Sequence, residues 1–314
     1  MVTKAIRYVM VRSRHMNYRI VYVDAFTTKP FQGNPCGVVP QADGLSEPQM
    51  QLIAREANQP ETAFVMASKT ADFRVCYFTP QHRVPFAGHP TIATGYLLAE
   101  DGRIKPGDPA VVRFEFDIGP LPVEVYFSES GKPDRVVMNQ PEPVFGKEVD
   151  IEETGSCFDL EPKELMEGLP AQVISTGVPF LIVPVRNLAV LKKVEMNRPR
   201  LRGLLKSCQA AAAFLFCLEG FDEESDTHAR FFNPDGTMED PFTGSASGCM
   251  GAYIIARGLK PGPALKIEQG HIMGRPGGGV LEIVRDNGKI TGIRLSGSAV
   301  KTLDGTITIN MEEL

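Results

Sequence analysis

The feature that most constrains this chain is an internal repeat. Segment 74–102 (RVCYFTPQHRVPFAGHPTIATGYLLAEDG) and segment 229–258 (ARFFNPDGTMEDPFTGSASGCMGAYIIARG) share the same order of parts. Each has a strand ending in Phe-x-Pro, a polar loop, a Gly followed by a polar residue and small residues, and an apolar helix ended by Gly. Because a helix that is apolar on every face is normally buried, the repeat predicts two similar halves, each with strands wrapped around one central helix.

The repeat also places two helix N-termini in equivalent positions, at Gly88 and Gly244. The first turn of a helix carries free N–H groups and about half a positive charge, so two such starts facing one cleft would bind a small anion, most naturally a carboxylate. The alternative is that the hydroxyls of Thr91, Ser245 and Ser247 only cap their helices.

Composition and charge exclude several classes of protein. The chain has 314 residues, is 43% hydrophobic and 23% charged, and has a net charge of −5. These values are typical of a globular protein of about two domains, and they leave no large basic field for nucleic acid or an anionic membrane. No apolar run approaches the roughly 20 residues that span a bilayer, and a cytoplasmic location is expected.

The six cysteines form no Cys-x-x-Cys pair, and no His cluster accompanies them. Their spacing therefore favours neither zinc nor a disulfide framework in a chain of this length. We expect buried free thiols in a reducing compartment and no bound metal.

Hydrophobic periodicity indicates many short strands and few helices. The stretch 127–135, which is rich in Gly, Pro and charge, is the best candidate for a linker. We expect a first domain at 17–130 that also takes up a C-terminal strand at 303–314, a second domain at 131–302, and an extension at 1–16. Other predicted elements are the central helices 89–100 and 245–257, an amphipathic helix at 46–58, surface helices at 161–169 and 197–208, and a strand at 173–185.

Five ordered motifs resemble those of the PhzF-like proteins, the phenazine-biosynthesis isomerases and their relatives. The resemblance runs from Tyr18 to about residue 310. The motifs are VDAFTTKPFQGNPCGVV (23–39), REANQPETAFV (55–65), FAGHPTIA (86–93), EDPFTGSASG (239–248) and EQGHIMGRPG (268–277).

The resemblance implies the α/β fold of diaminopimelate epimerase and proline racemase, in which two similar domains each wrap a β-barrel-like sheet around a central helix. It also implies an active site between the domains, catalysis without cofactor or metal, a small carboxylate substrate and a homodimer. The implied activity is a shift of a C=C bond, like that of trans-2,3-dihydro-3-hydroxyanthranilate isomerase. The catalytic positions of the family fall on Glu61 as acid/base, His89, Asp240 and Ser245, and substrate binding is expected at Asn34, Gly88 and Gly244.

The residue types at these positions bear on the reaction. Epimerases of this fold use a cysteine at each helix start, whereas the two starts here contain no thiol and Cys249 lies inside its helix. A single carboxylate at Glu61 could instead move a proton between two carbons on one face of a substrate. An epimerase or racemase, and a binding protein without catalysis, remain the alternatives.

Each of these residues also has an interpretation without catalysis. Glu61 could be an exposed loop acid, His89 could cap its helix, and Asp240 could only accept hydrogen bonds in its turn. Arg275 could bind a carboxylate, although bracing of its loop is the simpler interpretation.

Overall fold

A computed structural model describes residues 15–236 and 239–310, and these residues form a mixed α/β structure that is mostly β. The strands are β1 His15–Ala25, β2 Asn34–Val39, β3 Glu61–Met66, β4 Phe73–Phe78, β5 Arg83–Val84, β6 Ala110–Phe116, β7 Gly119–Phe127, β8 Pro133–Gln140, β9 Val144–Val149, β10 Ala171–Ser175, β11 Pro179–Pro184, β12 Ala212–Cys217, β13 Thr227–Phe232, β14 Ala264–Gln269, β15 Gly277–Asp286, β16 Lys289–Gly297 and β17 Ala299–Asn310. The helices are α1 Glu47–Ala57, α2 Gly88–Glu100, α3 Ile151–Ser156, α4 Leu188–Lys193, α5 Arg198–Cys208 and α6 Gly244–Ala256.

The pairing of the strands repeats along the chain. The order β17-β1-β2-β3-β4-β6-β7-β8 has the same succession of parallel and antiparallel neighbours as the order β9-β10-β11-β12-β13-β14-β15-β16. In both, only the third and fifth pairs are parallel. Antiparallel pairing of β8 with β16 joins the two runs into one large sheet.

Helices α2 and α6 occupy equivalent places in the two runs. Helix α2 follows β4 and β5 and lies against β1, β2, β3, β7, β8 and β17, whereas α6 follows β13 and lies against β10, β11, β12, β15 and β16. Both helices are buried on nearly every face, as their apolar sequences predict. The strand pairing and the buried helix therefore both recur along the chain, once in each run.

The last described strand returns to the beginning of the chain, as expected. β17 pairs antiparallel with β1, with Tyr18 opposite Ile307. The expected extension at 1–16 lies almost entirely outside the described residues. In the described part of the chain, no helix is long and apolar enough to cross a membrane.

Several expectations about local structure were wrong. The expected linker at 127–135 is the turn of a hairpin, in which Ser128 and Lys132 close the connection between β7 and β8. Only a 3₁₀ turn forms at Pro162–Glu164 in place of the helix at 161–169. The single strand at 173–185 is two strands, because the chain turns at Gly177, whose φ of 127° favours glycine.

Candidate active site

The starts of the two central helices meet at Gly88 and Gly244. A Cβ built on Gly88 would lie 3.4 Å from the Cα of Gly244, and one built on Gly244 would lie 3.6 Å from the Cα of Gly88. These distances are ordinary van der Waals contacts, so the two helix starts pack against each other at the two glycines.

Among the described residues, no side chain caps either helix start. The residues before the first turns, Ala87 and Thr243, make no side-chain capping bond. The hydroxyls of Thr91 and Ser247 instead donate to carbonyls of their own helices, at Ala87 O and Thr243 O. The capping alternative is thus wrong for these two hydroxyls, and the N–H groups of the first turns remain available to a ligand or to solvent.

Glu61 is the first residue of β3 and pairs with Cys36 of the parallel strand β2. About 22% of its side chain is exposed. Burial raises the pKa of the Glu61 carboxyl to about 8, and the nearby charge of Asp240 adds to this effect. The carboxyl can therefore hold or release a proton near neutral pH, which a free surface acid could not do.

His89 lies beside Glu61, with 3.4 Å between Nε2 and Oε2. Burial lowers the pKa of His89 to about 3, so the ring is neutral. The amide nitrogen of Asn34 lies 3.0 Å from Nδ1. Within residues 15–236 and 239–310, Nε2 has no hydrogen-bond partner, so this atom is open to a ligand on the side of Glu61.

Contacts with two further acceptors fix the amide orientation of Asn34. Its Nδ2 donates to Asp240 Oδ1 at 2.7 Å and to the carbonyl of Phe242 at 2.9 Å. Asn34 is fully buried, so one side chain from β2 holds both His89 of the first half and Asp240 of the second.

Asp240 is held by hydrogen bonds to both of its carboxylate oxygens. In addition to Asn34 on Oδ1, the hydroxyl of Thr243 donates to Oδ2 at 2.6 Å. Burial raises the pKa of the Asp240 carboxyl, while the hydrogen bonds from Thr243 and Asn34 oppose that shift. The two hydrogen bonds fix the orientation of the Asp240 carboxyl, whose charge is close enough to act on Glu61.

Gln269 is a member of the site that sequence reasoning did not assign. Its amide donates to the carbonyl of Asp240 at 2.6 Å and accepts from the backbone N–H of Thr243 at 2.9 Å. Gln269 belongs to the motif EQGHIMGRPG, which resembles the family but does not by itself predict what this residue does. The structure shows that the end of β14 secures the turn leading into α6.

Ser245 lies in the first turn of α6 and is half-buried. Its carbonyl accepts a bond from Thr176 at 3.4 Å, and the carbonyl of Gly244 accepts one from Gln140 at 2.9 Å. The structure thus brings Ser245, both glycines, Asn34 and the three titratable residues to one region around the two helix starts.

Two other expectations concern side chains near this region. Arg275 braces its neighbours, donating from Nη2 to Asp24 at 2.8 Å and from Nε to the carbonyl of Gly33 at 2.9 Å. The bracing interpretation is therefore confirmed.

All six cysteines are buried free thiols, also as expected. Cys36, which sequence reasoning passed over, lies opposite Glu61, and burial raises the pKa of its thiol well above the usual value.

Comparisons with known proteins agree with this architecture. The profile of a family described as phenazine biosynthesis-like protein (PhzC-PhzF) matches residues 23–305. An uncharacterised isomerase of Clostridium acetobutylicum is 32% identical over 303 residues, covering 93% of this chain and 99% of that protein. The trans-2,3-dihydro-3-hydroxyanthranilate isomerase of Pseudomonas chlororaphis is 30% identical over 301 residues, covering 93% of this chain and 100% of that protein.

Solved structures show the same relationship. A PhzF-family phenazine biosynthesis protein of Bacillus anthracis matches with a TM-score of 0.85 and 35% identity, covering 94% of this chain and 100% of that chain. A hydroxyproline epimerase from Agrobacterium vitis shares the fold at a TM-score of 0.60 and 13% identity, with 94% and 92% of the two chains covered. With a family profile over most of its length and relatives aligned nearly end to end, this chain belongs to the phenazine biosynthesis-like (PhzF) family.

Proposed function

We propose that this protein is a cofactor-independent isomerase that moves a proton between two carbons of a small carboxylate substrate. The observation that carries the proposal is the Glu61 carboxyl, which has a pKa of about 8 beside the neutral His89 ring and the anchored Asp240. A group that must accept a proton at one carbon and return it at another works best when its pKa lies near the operating pH.

The substrate carboxylate would bind at the two helix starts. The first-turn N–H groups of α2 and α6 supply donors and partial positive charge without a side-chain cap. In this arrangement Gly88, Gly244 and Ser245 bind the anion. Nε2 of His89 would form a hydrogen bond with a polar group of the substrate, while Asn34 holds His89 and Asp240 in place.

Glu61 would carry the proton transfer alone. It removes a proton from a carbon next to an unsaturated or carboxylated centre, and it returns that proton to another carbon on the same face. His89 and Asp240 orient the substrate. The relative from Pseudomonas chlororaphis, named as a trans-2,3-dihydro-3-hydroxyanthranilate isomerase, supports this reaction class and supplies the first compound to test.

An epimerase is the second candidate, because Asp240 is another carboxyl of raised pKa beside Glu61. Two bases on opposite faces of one carbon would be needed. Both oxygens of Asp240 already accept hydrogen bonds, which suits an orienting group better than a base that collects a proton. A thiol base is disfavoured, since burial raises the pKa of both Cys36 and Cys249.

We also propose that the two repeated runs of strands are two domains around α2 and α6, with the site between them. Because β8 pairs with β7, the boundary between the two domains is better placed at 141–143 than at residue 130.

A homodimer is expected, and light scattering of the purified chain would measure its mass.

The test of the proposed reaction is incubation with trans-2,3-dihydro-3-hydroxyanthranilate, and with a panel of small unsaturated carboxylates, in D₂O. NMR of the products separates the candidates. An isomer with a moved double bond supports the isomerase, whereas inversion at one carbon supports the epimerase. Binding without exchange of any C–H proton would leave only a binding protein.

A further inference from the structure

We propose that His228, Glu268 and His271 form a binding site for a divalent transition-metal ion, separate from the proposed active site. One potential ligand atom from each side chain lies within 4.8 Å of the other two. Two imidazoles and one carboxylate are a ligand set that suits Zn²⁺ and its neighbours in the first transition row, whereas Mg²⁺ and Ca²⁺ prefer oxygen ligands alone.

The fold itself brings the three residues together. Strands β13 and β14 are parallel, and their register sets His228 directly beside Glu268. His271 follows three residues later, in the 3₁₀ turn His271–Met273 that ends β14. The His228 and His271 rings lie 5.2 Å apart between centroids.

His228 supplies the observation that points to a ligand. The residue is fully buried, and within 15–236 and 239–310 neither of its ring nitrogens has a hydrogen-bond partner. Nδ1 of His271 is also buried without one. Leaving a buried polar atom unpaired costs about 1–3 kcal/mol. A bound metal ion would satisfy one nitrogen of each ring.

Glu268 is oriented as a metal-binding carboxylate would need to be. Its Oε2 accepts from the backbone N–H of Phe221 at 2.6 Å, and its Oε1 accepts from Ser225 at 2.8 Å and from the N–H of Asp222 at 3.1 Å. A carboxylate has about four acceptor positions, so one on Oε2 remains open. Hydrogen bonds of this kind orient ligands at known metal sites.

An ion can reach this cluster from the surface. A cavity of about 450 Å³ and a second, more acidic one both reach Glu268 and His271. The second is also lined by Asp222, Glu223 and Glu224, whose negative charge favours a cation. The Nζ of Lys192 lies 4.3 Å from the centroid of the Phe221 ring, and its positive charge partly offsets the attraction of a cation to these carboxylates.

The expected change on binding is small. Ligand atoms around a tetrahedral metal lie about 3.4 Å apart, given metal–ligand distances of roughly 2.0–2.2 Å. From separations of at most 4.8 Å, the distances between ligand atoms would therefore shorten by up to about 1.4 Å. Bound metal would fix β13 to β14 and thereby steady Gln269, the next residue of β14, which supports Asp240 and Thr243 from the other side of the strand.

The proposal is tested by titrating the metal-stripped full chain with Zn²⁺ in competition with a chromophoric chelator. We expect one Zn²⁺ per chain and a melting temperature that rises with Zn²⁺. His271→Phe removes one of three ligands, although its ring can still stack on Phe221. The affinity should therefore fall by at least the roughly 10–100-fold that loss of an outer-shell partner costs. His271→Gln is a second variant should the first fail to fold.

Matched variants locate the ion. His82→Phe removes an exposed histidine, and Glu61→Gln alters the proposed active site, so both should bind Zn²⁺ as the wild type does. The proposal is overturned if no stoichiometric binding occurs, if both His271 variants bind normally, or if only Glu61→Gln loses binding. A Co²⁺ spectrum with thiolate charge-transfer bands would also overturn it, because a cysteine would then be the ligand.

Discussion

The Nε2 atom of His89 lies 3.4 Å from Oε2 of Glu61, and the two side chains approach from different elements of the first repeat. The neutral ring does not offset the charge of an ionised Glu61, so burial keeps the pKa of Glu61 near 8. Because the raised pKa of Glu61 affects folding stability, anion binding and proton exchange, each of these can be used to measure its protonation.

Folding stability should report the raised pKa directly. Because the folded-state pKa of about 8 exceeds the ordinary glutamate value of 4.5, the stability from protonated Glu61 is complete below about pH 4.5 and is lost as the pH rises through 8. Glu61→Gln has no such loss. Its free energy of unfolding relative to wild type should increase from pH 5 to pH 9 by a few kcal/mol, at about 1.4 kcal/mol per pKa unit.

The matched control for that experiment is Glu56→Gln, which removes an exposed carboxylate five residues away. Urea unfolding at several pH values measures both variants. A Glu61→Gln difference that stays flat between pH 6 and pH 9 would mean that the Glu61 carboxyl titrates like an ordinary surface acid.

Binding of a small carboxylate should depend on the same proton. Below pH 8 Glu61 is largely neutral and the helix starts attract the anion, whereas above pH 8 its negative charge opposes binding. Calorimetry with malonate should therefore show an affinity that falls several-fold from pH 7 to pH 9 in wild type and stays nearly constant in Glu61→Gln. Equal pH dependence in both proteins would mean that the charge of Glu61 does not affect anion binding.

Much of this arrangement could be predicted from the sequence, because the repeat and its two apolar helices are local patterns. The motif around Glu61 predicts that this residue belongs to the site. It does not predict the environment of Glu61, because Asn34 and Asp240 come near it only in the folded chain. The roles of Gln269 and Cys36 depend on which residues lie across the sheet, and one sequence does not report that. The composition of 127–135 predicts a linker where a hairpin turn forms, because turns and linkers share Gly, Pro and charge.

Close packing beneath the helix starts leads to a prediction about Gly248. A Cβ at this position would lie 2.0 Å from Oε1 of Gln140, whose amide is buried and bonded to Gly244 and Thr176. Gly248→Ala would displace that amide and should destabilise the fold by about 1–3 kcal/mol.

The control is Gly203→Ala, at an exposed position of helix α5 where a new Cβ meets nothing within 4 Å. Here alanine should stabilise the protein by about 0.5–1 kcal/mol through helix propensity. Thermal melting of both variants checks the contrast, and a Gly248→Ala protein as stable as wild type would show that Gln140 is not held as described.

The most direct test of Glu61 as the acid/base is the exchange of substrate C–H protons with D₂O, followed by NMR. The compounds are trans-2,3-dihydro-3-hydroxyanthranilate and the panel of small unsaturated carboxylates, and the proteins are wild type, Glu61→Gln and Glu56→Gln. We expect exchange with wild type and Glu56→Gln, and a rate lower by about 10²–10⁴-fold in Glu61→Gln. Exchange in Glu61→Gln at the wild-type rate, or no exchange of any compound by wild type, would contradict the account.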